Sequence, residues 1–116
     1  ADLYEKDEFL RSMRVLSDRF YFPILPEDRS KFALSDTANP EEKIEWITLR
    51  NIYHQCLRSV TIETSRIHPH LAEVLVEAGR KSDIWLTALL DERITVGEYN
   101  RLRLGQHERQ QDRFLV

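Results

Sequence analysis

The chain has 116 residues, of which 41% are hydrophobic and 32% charged, with a formal net charge of −3. That length suits one domain around one core, and the near-balanced charge gives no support to a protein that gathers nucleic acid by bulk electrostatics. No apolar run approaches the ~20 residues needed to span a bilayer, and the lone cysteine, Cys56, excludes an internal disulfide or a thiolate metal cluster.

Residues 3–20 carry Phe9, Met13, Leu16 and Phe20 in a spacing that lines one helical stripe. Pro23 and Pro26 remove amide donors and restrict the residues before them, so the helix is expected to stop there. Residues 22–40 then read as a long connection, with Phe22, Ile24, Leu25, Phe32 and Leu34 available to pin it to the core.

A second helix over 40–66 is announced by Asn39-Pro40-Glu41-Glu42: a capping asparagine, proline at the first helical position, and glutamates facing the free N–H groups. Trp46, Leu49, Tyr53, Cys56 and Val60 form its apolar stripe, widened by Ile52, Leu57 and Ile67, which predicts a buried Cys56. His68-Pro69 breaks this helix and Pro69 opens a third over 69–91, through Leu71, Val74, Leu75, Ala78, Ile84, Trp85, Ala88 and Leu89, with a kink expected near Gly79. Thr95 and Glu98 stand three apart as a capping box, with Ile94 and Tyr99 as a hydrophobic staple, opening a fourth helix over 95–110. The expected architecture is all-α: a single-domain bundle of about four helices spanning 1–116, with a long loop after the first.

Chemistry-bearing constellations are sparse. His54 and Cys56 are two apart and fall on different faces of a helix, which does not make a nucleophile–base pair. His68 and His70 flank Pro69, but even with His54 or Glu63 nearby they read as polar turn residues, His68 as a cap, rather than zinc ligands. Gly79, Gly97 and Gly105 form no phosphate-cradling loop, and Glu41-Glu42 and Asp91-Glu92 sit at helix ends, where carboxylates serve caps and dipoles. The reading is therefore of no enzyme, no cofactor and no metal.

The stretch Leu90-Asp91-Glu92-Arg93-Ile94-Thr95-Val96-Gly97-Glu98-Tyr99-Asn100-Arg101-Leu102-Arg103 resembles a segment near the C-terminus of small exported bacterial helical proteins and lipoproteins, with a pattern I-T-x-G-E-Y-N-x-x-R. The resemblance covers about fourteen residues. It implies a bacterial, periplasmic or otherwise envelope-facing location and partner binding rather than catalysis, and it carries over no functional residue.

The leading expectation is a non-enzymatic module that binds a protein partner or self-associates through helix faces. Tyr21, Phe22, Arg101 and Phe114 are the candidate interaction surface, because aromatic and arginine side chains anchor interfaces. The alternatives are a DNA-binding helix-turn-helix regulator led by Arg101 and Arg103, and a bundle with an apolar ligand cavity near Trp46 and Trp85. Acidic neighbours Glu98, Glu108 and Asp112 weigh against the DNA reading.

Overall fold

The computed structural model describes the backbone of residues 3–114 and the side chains of residues 7–109. It is all-α, as the periodicities predict: α1 (Leu3–Leu16), a 3-10 turn (Arg29–Ala33), α2 (Pro40–Ile67), α3 (Pro69–Leu90) and α4 (Val96–Phe114), with no strand among the described residues. α1 packs on α2, α2 on α3, α3 on α4, and α4 on the 3-10 turn; among the described residues the backbone of α1 approaches neither α3 nor α4. The bundle is thus open along one side.

Local chemistry sets most boundaries. At α2 the Asn39 side chain accepts the Glu42 amide at 2.8 Å while the Glu42 carboxylate accepts the Asn39 amide at 2.9 Å, closing a capping box in front of Pro40. Thr95 and Glu98 do the same for α4, both bonds at 3.1 Å. The α2–α3 junction rests on the His68 backbone, whose N–H donates to the Thr64 carbonyl at 2.7 Å and whose carbonyl accepts the Ala72 amide at 3.1 Å. The expected cap by the His68 side chain is not made. α3 runs without interruption through Gly79, which sits against the Leu57 side chain; a β-carbon there would meet Leu57 Cδ2 at 3.0 Å.

α1 ends four residues short of the expected Phe20. The cause lies downstream: Lys31 Nζ donates to the carbonyls of Ser17 at 2.7 Å and Phe20 at 3.1 Å, and Asn100 Nδ2 donates to that of Arg19 at 3.0 Å. These long-range donors satisfy backbone groups that a continuing helix would have satisfied itself.

The connection over 22–40 is held at both ends. Arg19 forks onto the Glu42 carboxylate at 2.7 and 2.9 Å and also reaches Asp36 and the Thr37 carbonyl, and the Glu42 and Asp36 bonds push its pKa above the ordinary arginine value. The start of α4 lies directly on it, the amides of Val96 and Gly97 donating to the carbonyls of Asp36 and Leu34 at 2.8 and 3.0 Å. Only glycine fits at 97, because a β-carbon would stand 2.5 Å from the Leu34 oxygen and 2.7 Å from that of Phe32.

The core gathers Leu16, Phe20, Phe22, Trp46, Leu86, Leu89, Val96 and Tyr99 at the end of the bundle where the connection crosses. Four polar side chains among the described residues are buried as well: Ser12, which donates to Glu45 at 2.7 Å, Glu42, and the fully enclosed Asn100. Away from that end the packing thins. Tyr53 and Val60, expected on the buried stripe of α2, are 47% and 50% exposed, and Cys56, Ile67 and Ile84 are likewise exposed rather than buried. Helical periodicity places these residues on an apolar stripe, but among the described residues no neighbouring helix covers them.

Candidate binding groove

The uncovered face of α2 forms the floor of a cavity of about 990 Å³. Leu49, Tyr53, Cys56 and Val60 run along that floor; Phe9 and Met13 of α1 form one bank. Ala78, Ser82, Asp83 and Leu86 of α3, with Tyr99, Arg103, Gln106 and His107 of α4, form the other. Tyr21, Phe22, Pro23 and Ile24 close the end nearest the core, where Trp46 joins the lining.

Side-chain bonds tie together the α3–α4 bank and the closed end. Gln106 ties α4 to α3, its amide donating to the Ala78 carbonyl at 2.9 Å and its oxygen accepting from Ser82 at 3.2 Å. His54 and Asp83 pair at 3.0 Å between α2 and α3. Asn100 fixes the closed end: its Oδ1 accepts the Tyr21 amide at 2.9 Å and its Nδ2 reaches the Lys31 carbonyl at 2.9 Å as well as that of Arg19.

At that end the aromatic rings form one contact set. Phe22 stacks on Trp46 at 5.7 Å, and Tyr99 meets Trp46 edge-on at 5.3 Å. The Arg103 guanidinium lies on this set, 4.7 Å from the Phe22 ring centre, 5.1 Å from Trp46 and 5.8 Å from Tyr99, and donates to the Tyr21 carbonyl. Burial pushes its pKa below the ordinary arginine value, opposed by the phenols of Tyr99, Tyr21 and Tyr53. Among the described residues no carboxylate lies within ion-pair distance of it. Trp46 Nε1 is buried in the same cluster with no hydrogen-bond acceptor.

The four expected surface residues fall in different places. Tyr21 and Phe22 are buried, not part of an exposed patch, because the Asn100 bond holds the backbone at 21, the Tyr21 ring packs on Phe32 at 5.6 Å and the Phe22 ring joins the aromatic cluster. They contribute to the groove as its end wall. Arg101 is exposed and donates to the Phe32 carbonyl, so it braces α4 on the connection. Phe114 closes α4, and its side chain lies outside the described residues.

Of the two tryptophans named for a cavity, Trp46 lines it, whereas Trp85 packs against the core from α3. Arg103, which the sequence offers only as a phosphate reader, lies instead in the groove wall on three aromatic rings. The available signal was its position four residues after Tyr99, which puts a guanidinium over a ring on one helix face. No family model, curated protein or solved structure matches the chain.

Proposed function

We propose that this protein is a non-enzymatic binding module that takes a slender apolar guest into the groove over α2, between α1 and α4. The observation that carries this reading is the uncovered apolar stripe of α2, with Tyr53 and Val60 half exposed inside a concavity rather than on a convex surface. Burying such side chains is worth about 1.5–3 kcal/mol each when complete, so a guest that covers the stripe gains what the intramolecular packing leaves unused. The cavity volume falls within the range of ordinary ligand sites.

A helical partner segment is the second reading. The groove lies where another helix would close the bundle, and helix-in-groove recognition uses such an apolar trough. An envelope-facing bacterial setting, implied by the resemblance of residues 90–103, belongs to either reading and is tested by cell fractionation.

The direct test is titration with a neutral environment-sensitive dye such as Nile red. Saturable, near-stoichiometric blue-shifted emission is expected, weakened several-fold by Val60→Asp, which places a charge on the groove floor. Emission no different from that with an unrelated helical protein contradicts the proposal.

A further inference from the structure

Building on the groove as a guest site, we propose that the guest is a single-chain amphiphile whose carboxylate docks on Arg103 and whose alkyl chain lies along α2. Three observations point to an anionic end. The Arg103 guanidinium has five N–H donors, of which one hydrogen bond is accounted for, to the Tyr21 carbonyl. It rests on three aromatic rings without a carboxylate partner among the described residues. A cation so placed is largely stripped of water and gains strongly from a bidentate anion.

Second, the lining is cationic within an acidic chain. Arg50 and Arg103 both line the groove, and the single carboxylate among its described lining residues, Asp83, is engaged by His54. Third, the Trp46 Nε1 donor, enclosed in the cluster on which the guanidinium rests, has no acceptor among the described residues, so the closed end of the groove is short of acceptor oxygens.

Shape favours a single chain over a peptide helix. The floor from Leu49 to Val60 runs about 16 Å at 1.5 Å per residue, enough for an extended alkyl chain of about twelve to fourteen carbons, whose bonds of about 1.5 Å each advance about 1.3 Å along the zigzag. One charge at one end matches one guanidinium at the closed end of an apolar trough. An amphipathic helix instead carries its charges on the face turned away from the groove.

The test is competition against the neutral dye by dodecanoate, dodecanol and dodecyltrimethylammonium, below their aggregation limits, on the wild-type chain, Arg103→Gln and Arg103→Lys. Expected on the wild type is displacement by dodecanoate at roughly tenfold lower concentration than by dodecanol, as a charge-assisted bond supplies, with the ammonium weakest. Arg103→Gln brings dodecanoate to the dodecanol level; Arg103→Lys retains part of the preference. Equal displacement by acid and alcohol, or a preference that survives in Arg103→Gln, overturns the carboxylate assignment while leaving the groove reading intact. Should the variant fail to fold, the wild-type comparison alone decides. Displacement by none of the three, with the dye itself unbound, overturns the groove reading. Arg103-dependent sedimentation with phosphatidylglycerol vesicles, without displacement by dodecanoate, overturns the assignment in favour of a membrane surface.

Discussion

The Asn100 side chain on α4 accepts the amide of Tyr21 at 2.9 Å across 79 residues of chain, and through its Nδ2 it also holds the carbonyls of Arg19 and Lys31. Three backbone groups from two separate segments therefore depend on one fully buried amide. Replacing it with alanine leaves a buried N–H and two carbonyls to find new partners. Asn100→Ala is expected to cost about 2–4 kcal/mol, since each orphaned buried group costs about 1–3 kcal/mol. Asn100→Asp is expected to be at least as damaging, because a carboxylate would then face two carbonyl oxygens. Urea denaturation of the two variants checks both.

Gly97 and Gly105, eight positions apart on α4, are expected to respond to alanine with opposite signs. At 97 the new methyl meets two backbone oxygens that cannot swing aside, so the connection must shift, at about 1–3 kcal/mol for an overpacked site. At 105 the nearest atom is the guanidinium of Arg109 at 3.3 Å, the far end of a flexible side chain. There Gly→Ala removes the helix penalty of glycine and is expected to stabilise by about 0.5–1 kcal/mol. Thermal melts of the two variants distinguish a close approach from an ordinary helical position.

Burial raises the pKa values of Tyr99, Tyr21 and Tyr53, with the Arg103 charge opposing the shift in each. The folded chain therefore keeps its phenolic protons to higher pH than the unfolded chain, whose tyrosines titrate near pH 10. The stability these phenols contribute is fully present below about pH 10 and declines as pH climbs from there through the raised folded values. Urea midpoints followed with phenolate absorbance are expected to fall over that alkaline window, with a shallower slope in Tyr99→Phe, which removes the most deeply buried of the three groups. A midpoint independent of pH across the window contradicts the assignment.

What could be read from the sequence was what is local. Asn39 with Glu42 and Thr95 with Glu98 announce their capping boxes because both partners lie within one turn, and Pro69 marks its helix start for the same reason. The end of α1 is not local, because Lys31 and Asn100 on distant segments take the carbonyls of Phe20 and Arg19 just beyond it. The spacing of Cys56 puts it on an apolar face, yet spacing states which face is apolar and not whether a neighbour covers it. The groove belongs to the same gap: it arises because, among the described residues, the backbone of α1 does not approach that of α4, a relation between distant segments with no signature in either. The Ser12–Glu45 pair and the close approach at Gly97 are hidden for the same reason.

Cys56 offers the most direct measurement of the groove as a guest site, because its free thiol is exposed and lines the floor. The rate of its alkylation by a small maleimide is to be followed with and without a saturating slender apolar guest such as dodecanol, and in denaturant as the unprotected reference. A several-fold slowing by the guest in the folded protein, absent in denaturant, is the expected result. An alkylation rate that the guest leaves unchanged, at concentrations that saturate the dye competition, contradicts occupancy of the groove.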